Sequence, residues 1–121
     1  MTWNLHSDRP IFRQIVERLQ QDIVSGIYAP GDKLDSVRDL ATAAAVNPNT
    51  MQKALAELER TGLILSQRTS GRYVTEDTSS IASLKETLAK KVVERYMLEM
   101  KRLGYSTDDA KIFIRNFEED K

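Results

Sequence analysis

Cysteine is absent from the 121 residues, and histidine occurs once, as His6. Without cysteine the chain can form neither a disulfide nor a thiolate metal site. His6 alone can complete neither a histidine metal cluster nor a Ser-His-Asp triad, and the acidic residues are scattered without a cleft-forming pattern. We therefore predict no cofactor, no metal and no enzymatic activity.

Long apolar runs are also lacking, since none approaches the roughly 18 residues that a membrane span requires. The opening residues, MTWNLHSDRP, lack the charged and then apolar layout of a signal peptide. We expect a cytoplasmic protein with no membrane contact. Net charge is zero, because 18 Lys and Arg balance 18 Asp and Glu. Any nucleic-acid binding must therefore depend on a local basic patch.

Glycine and proline are few, at 5 and 3, whereas hydrophobic residues make up 40% and charged residues 30%. This composition is typical of a folded, helix-rich chain, and its length favours one compact domain with an appendage. In PIFRQIVERLQQDIVSGI (10–27) apolar residues recur every three to four positions, which predicts an amphipathic helix. Gly26 suits its end, and Pro30-Gly31 predicts a turn followed by a short extended piece.

Two further helices are predicted around a tight turn. Ser36 is a good N-cap for a helix that begins near Val37. The turn covers about 44–47, after which Asn47 caps a third helix with Pro48 in its first position. Thr61-Gly62 ends that helix.

A β-hairpin follows in LILSQRTSGRYV, with strands predicted over 63–67 and 72–75. The polar stretch TEDTSS (75–80) predicts a hinge. Two more amphipathic helices complete the chain, separated by a break at Leu103-Gly104, with Ser106 or Thr107 as the cap of the second.

Helix, turn, helix and basic hairpin follow one another in the order of a winged helix-turn-helix, whose second helix enters the DNA major groove. Amide side chains can bind an adenine edge, and Thr or Lys can reach phosphates. A cation in the first helical turn, such as Arg38, opposes the helix dipole, and a nearby phosphate would explain it. A surface ion pair of Arg38 with Asp35 or Asp39 is the alternative. The basic excess around the hairpin is modest, so it is weak evidence alone.

The combination PGDKL, SVRDLA, VNPNT, ALAELER-x-GLI and a glycine-tipped hairpin resembles the DNA-binding domain of GntR-family bacterial transcriptional regulators over about residues 10–75. The resemblance implies that the second helix contacts DNA through its arginine, that the third helix reads the operator, and that the wing approaches the minor groove. The DNA-contacting residues that we predict are Arg38, Asn47, Pro48, Asn49, Thr50, Gln52, Lys53, Arg68, Ser70, Gly71 and Arg72.

Three positions depart from the family pattern. Asp35 replaces a common proline and places an acid near the DNA face. Ala45 replaces a frequent glycine, which costs roughly 1 kcal/mol if the backbone φ is positive there. Thr69-Ser70 replaces a more basic wing, so we expect weaker wing binding.

The C-terminal part is too short for the effector domains of the large subfamilies and resembles the YtrA subfamily. That resemblance implies a homodimer that represses an operon, often one encoding an ABC transporter. The predicted fold class is mainly α with a small β-hairpin wing: a winged helix-turn-helix domain over residues 1–76 and a two-helix dimerisation arm over 77–121. The alternative to dimerisation is packing within the chain. The predicted dimer residues are Leu84, Leu88, Val92, Tyr96, Met100, Ile112, Phe113 and Phe117.

Double-stranded operator DNA and a second copy of the chain are the expected partners, and the sequence identifies no small-molecule effector. A winged-helix module that binds protein instead of DNA is the alternative function, and the neutral net charge favours it slightly.

Overall fold

The computed structural model describes residues 3–68 and 70–118. The described residues form helices and one hairpin in the predicted order. The elements are α1 (Ile11–Val24), α2 (Val37–Ala44), α3 (Pro48–Arg60), β1 (Ile64–Gln67), β2 (Gly71–Val74), α4 (Thr78–Arg102) and α5 (Thr107–Asn116). The predicted fold class, mainly α with a β-hairpin wing, is confirmed.

The chain divides into two compact units, one up to Lys85 and one from Glu86. This division falls within α4, whereas the sequence predicts a domain boundary after residue 76. The predicted hinge over 75–80 is wrong in its second half, because Thr78 already begins α4.

One apolar core stabilises the first unit. The three-to-four spacing of α1 and α3 brings one face of each helix inward, and α2 and the hairpin close the core around them. The large side chains of this core that are less than 2% exposed are Ile15, Leu19, Ile23, Met51, Leu55, Leu58, Ile64 and Val74. The first turns of α4 add Ile81 and Leu84, which pack half-buried against this core.

The turn between α2 and α3 follows the predicted caps. The Ser36 hydroxyl accepts a hydrogen bond from the Asp39 amide at 3.1 Å, which fixes the start of α2. Ala45 ends α2 with φ 57° and ψ 46°, the left-handed conformation. The Asn47 side chain then accepts a hydrogen bond from the Asn49 amide at 2.7 Å and begins α3. These caps set the angle at which α3 leaves the turn.

Replacing Ala45 with glycine will stabilise the protein. The left-handed conformation costs an L-residue about 1–2 kcal/mol, and part of the gain is lost to the greater freedom of glycine in the unfolded chain. We expect a net increase of about 0.5–1 kcal/mol in the free energy of unfolding, measured in urea. Ala43→Gly, in the last turn of α2, is the control and should lose about 0.5–1 kcal/mol, because its helical conformation gives glycine no advantage. Equal destabilisation by the two glycines would contradict strain at Ala45.

The hairpin strands pair antiparallel, with Ile64 opposite Val74 and Gln67 opposite Gly71. The sequence places the strand bounds one residue differently, since Gly71 belongs to β2 and is not in the connection. A further segment lines the other edge of β2. The Leu34 amide donates to the Arg72 carbonyl at 2.9 Å, and the Val74 amide donates to the Asp32 carbonyl at 2.8 Å. The extended piece predicted after Pro30-Gly31 thus supports the hairpin.

Asp77 precedes α4 and binds its first turn. Its carboxylate accepts hydrogen bonds from the Ser79 hydroxyl at 2.6 Å, the Ser80 hydroxyl at 2.7 Å and the Ser80 amide at 3.2 Å. The serine hydroxyls, and to a lesser extent the backbone amides, lower the pKa of Asp77 to about 2. The charged carboxylate therefore fixes the beginning of α4.

Because Asp77 caps α4 in its charged form, the stability difference between the unmodified chain and Asp77→Asn should depend on pH. Because the pKa of Asp77 is lowered from 3.8 to about 2 on folding, its charged form stabilises the fold above about pH 4. That contribution disappears as the pH falls through about 2. We expect Asp77→Asn to melt below the unmodified chain at pH 6 and the two melting temperatures to converge near pH 2. Asparagine keeps the capping ability but cannot ionise. A difference in melting temperature that stays constant from pH 6 to pH 2 would contradict a stabilising role for the charged form of Asp77.

The second unit contains the rest of α4 and all of α5. Gly104, at φ 97°, follows the end of α4, and Ser106 rather than Thr107 caps α5, in a capping box with Asp109. The Tyr96 hydroxyl donates to the Ala110 carbonyl at 2.6 Å, and Tyr105 and Phe113 meet edge to face with ring centroids 5.1 Å apart. Two helices joined in this way leave most of their apolar side chains exposed.

Candidate nucleic-acid interface

The outward face of α3 is polar and accessible. The apolar positions of α3 are in the core, so the side chains of Asn49, Gln52 and Lys53 are exposed, and Thr50 is half-buried. The side chains of Asn49 and Gln52 have no hydrogen-bond partner in the described part of the chain. Their amide groups are available to an external ligand with paired donors and acceptors.

Other predicted α3 residues have structural partners. The Asn47 oxygen is used by the Asn49 amide, and Pro48 occupies the first helical position without a backbone donor. The Lys53 ammonium lies 5.3 Å from the centroid of the Phe12 ring on α1. This cation–π contact directs the Lys53 side chain toward the α1 side of α3.

Arg38 lies exposed in the first turn of α2. The surface ion pair with Asp35 or Asp39 that the sequence leaves open is not formed, and the guanidinium has no partner within residues 3–68 and 70–118. Asp35 is also exposed, but its charge acts on Tyr28. Burial, and next the carboxylate of Asp35, raise the pKa of the Tyr28 phenol.

The hairpin separates its predicted site residues into two groups. Arg68 and Ser70 are exposed beside the strand ends, and the Ser70 amide donates to the Gln67 carbonyl at 3.3 Å. Gly71 has φ 109°, and a Cβ there would lie 3.2 Å from Lys33 Cε. Thr69, which with Ser70 replaces the more basic wing of the family pattern, lies outside the described residues. Arg72, by contrast, is half-buried and forms an ion pair with Glu59 at the end of α3.

Sequence reasoning does not identify two of these neighbours. Lys33 is exposed beside Gly71 because residues 31–34 run along β2. Glu59 contacts both strands of the hairpin, since it also accepts a hydrogen bond from the Ser66 hydroxyl at 2.7 Å. The lysine within PGDKL and the glutamate near the end of α3 are the only sequence signals that could have suggested them.

The predicted dimer residues lie in different surroundings. Leu84 packs against the core of the first unit, whereas Leu88, Tyr96 and Met100 are half-buried. The remaining four are between 46% and 63% exposed: Val92, Ile112, Phe113 and Phe117. The second unit also exposes apolar residues that the predicted set omits, namely Val93, Leu98, Leu103, Tyr105 and Ile114.

Neither a metal cluster nor a membrane span appears in the described ranges. No three His, Asp or Glu side chains among them lie close enough to share a metal ion. No described helix combines the length and the hydropathy that crossing a bilayer requires.

Comparisons with known proteins agree with this arrangement. Residues 12–74 match the family model of bacterial regulatory proteins, gntR family. In Bacillus subtilis, the uncharacterized HTH-type transcriptional regulator YhcF is 35% identical over 93% of this chain and 93% of its own length. The HTH-type transcriptional repressor YtrA of the same organism is 35% identical over 94% of this chain and 88% of its own.

Solved structures share the fold. A GntR family transcriptional regulator from Listeria monocytogenes superposes with a TM-score of 0.86 and 41% identity, covering 93% of this chain and 98% of that one. The DNA-binding domain of AraR in complex with operator ORX1 has a TM-score of 0.54 and 25% identity, over 62% of this chain and 93% of that one. The chain belongs to the GntR family of transcriptional regulators, with a winged-helix DNA-binding domain followed by C-terminal helices.

Proposed function

We propose that the protein is a repressor that binds an inverted-repeat operator as a homodimer. The observation that carries the proposal is the exposed polar face of α3, where Asn49 and Gln52 have no partner in the described residues and Arg38 is unpaired nearby in sequence on α2. The operator complex of the AraR domain and the repressor YtrA support the same reading.

The contacts divide into base reading and phosphate binding. The amides of Asn49 and Gln52 can each donate to and accept from an adenine edge in the major groove. Arg38, Thr50, Lys53 and the amide-rich start of α3 at Asn47 and Pro48 supply phosphate contacts, which fix orientation but carry little sequence information. This division assigns specificity to α3 and affinity to the cations around it.

The wing contributes at the neighbouring minor groove. Arg68 is exposed and unpaired among the described side chains, and Ser70 and Gly71 offer a small surface that can approach the sugar-phosphate backbone closely. A short wing with few cations predicts a modest contribution to affinity.

Dimerisation supplies the second recognition helix. The second unit buries only Ala110 among its described residues, so its apolar side chains need a partner surface. A two-fold dimer places two α3 helices in successive major grooves about 34 Å apart. Repression then follows from occlusion of a promoter, and the proposal that the operon encodes an ABC transporter rests on the YtrA resemblance alone.

Binding to the DNA upstream of the protein's own gene tests this function. Fluorescence anisotropy at two salt concentrations, with random duplex as competitor, should give competitor-resistant binding whose logarithmic salt slope is about −0.9 per phosphate contacted. Binding that is salt-insensitive and no better than to random duplex would contradict the proposal and favour the protein-interaction module. A selection from genomic fragments extends the test to operators elsewhere.

A further inference from the structure

Glu59, one residue before the end of α3, contacts both strands of the hairpin through one carboxylate oxygen. The Ser66 hydroxyl of β1 donates to Oε1 at 2.7 Å, and Arg72 Nε of β2 donates to the same atom. Ser66 and Arg72 are opposite each other in the ladder. A single carboxylate thus connects the recognition helix to a cross-strand pair of the wing.

The Glu59–Arg72 ion pair is partly shielded from solvent. The side chains of Arg72 and Glu59 are 20% and 30% exposed, which weakens solvent screening of the pair. The Ser66 hydrogen bond, and next the Arg72 guanidinium, keep the pKa of Glu59 below its usual value, so the carboxylate is charged at neutral pH. Closer to the core, the hairpin is fixed by the buried pair Ile64 and Val74.

The ion pair changes the role of Arg72. A guanidinium that already binds a carboxylate adds little net charge for a phosphate, whereas Arg68 is exposed and unpaired among the described residues. The sequence pattern alone cannot separate these two arginines, which stand on either side of the hairpin connection.

We propose that Glu59 is a positioning residue for DNA binding: by holding Arg72 and Ser66 it sets the place of the wing relative to α3, so that both engage one stretch of operator. Arg72 acts through Glu59 and not as an independent phosphate contact. The inference rests on the proposed function, because the wing matters only if α3 binds DNA.

The test compares Glu59→Gln with Glu57→Gln in the full-length chain. Glu57 is two residues earlier on α3, pairs with Arg60 on the same helix and makes no hydrogen bond to the described residues of the hairpin. Both substitutions raise the net charge by one, so they strengthen non-specific attraction to DNA equally. We expect Glu59→Gln to bind operator roughly three- to tenfold more weakly than Glu57→Gln.

Two further readouts separate positioning from general loss of structure. Hydroxyl-radical footprinting should keep the α3 protections in Glu59→Gln and lose those of the wing in the flanking minor groove. In a double-mutant cycle, Arg72→Gln combined with Glu59→Gln should cost no more operator affinity than either alone. Additive losses, intact wing protections, or tighter binding by Glu59→Gln from a released Arg72 would each overturn the proposal.

A measurement without DNA distinguishes failure of the Glu59 proposal from failure of the proposed function. If the unmodified chain does not prefer operator to random duplex, the proposed function fails. Hydrogen exchange of the Leu34 amide, which is bonded to the Arg72 carbonyl, still tests the contact in the free protein. Faster exchange in Glu59→Gln than in Glu57→Gln supports the positioning role, and equal exchange overturns it.

Discussion

Replacing Asn49 with alanine will reduce the preference for operator over random duplex about tenfold or more. An amide that binds an adenine edge with two hydrogen bonds contributes about 1–3 kcal/mol to base discrimination, and the Asn49 side chain is exposed on α3 with no partner in the described chain. Affinity for random duplex should stay near that of the unmodified protein, because the substitution removes no charge. Competition anisotropy with both duplexes measures the ratio directly.

Arg38→Ala should act differently, since its guanidinium is a phosphate ligand in the proposed complex. It should weaken binding to operator and random duplex by the same factor and reduce the salt slope by about one. Gln21→Ala, on the exposed side of α1, is the control for the loss of an amide, and Arg95→Ala, on α4, is the control for the loss of a positive charge. Equal losses on the two duplexes for both Asn49→Ala and Arg38→Ala would contradict this division of roles.

Local signals explain why the helix-turn-helix could be predicted. Ser36, Asn47 and Pro48 each satisfy or remove backbone donors at a helix start, and these effects depend on residues within three positions. The left-handed Ala45 follows from the same geometry, because a tight turn after α2 leaves one residue at positive φ. About fifteen residues of sequence were therefore enough to predict where α3 begins.

The partners of the hairpin arginines could not be predicted in this way. Glu59 and Arg72 are 13 residues apart, and their contact depends on how the hairpin folds back on α3. Arg68 has the same chemistry and a similar sequence context but has no partner in the described structure. The support of β2 by residues 31–34 is equally non-local, because it joins segments on either side of two helices.

Residues 75–80 show a different limit of prediction from sequence. Threonine and serine have low helix propensity, so residues 75–80 resemble a linker in composition. Asp77 overrides that tendency, because its carboxylate binds two serine hydroxyls and an amide in the first turn. The sequence signal that would have predicted this N-cap is the aspartate directly before Thr-Ser-Ser.

Val92→Glu should convert the proposed dimer into a monomer. Val92 is 58% exposed on α4, in a unit whose described residues bury only Ala110, so an added carboxylate would have to be desolvated at the subunit contact. Sedimentation equilibrium should give the mass of a dimer for the unmodified chain and that of one chain for the variant. Circular dichroism should show an unchanged helical content.

The same substitution should lower affinity for a full inverted repeat by roughly 100-fold and leave a single half-site almost unaffected. The reason is that a dimer binds its second half-site intramolecularly, and effective concentration multiplies affinity by about 10²–10⁴ without new contacts. Thr87→Glu adds the same charge at an exposed α4 position just before Lys90 and Lys91, where it favours the helix, and it should stay dimeric. A Val92→Glu chain that remains dimeric, or an unmodified chain that is monomeric on its operator, would contradict dimerisation through this surface. If both glutamates dissociate the dimer, added charge rather than the apolar surface is responsible, whereas dissociation by Val92→Glu alone assigns the contact to the exposed apolar side chains of α4.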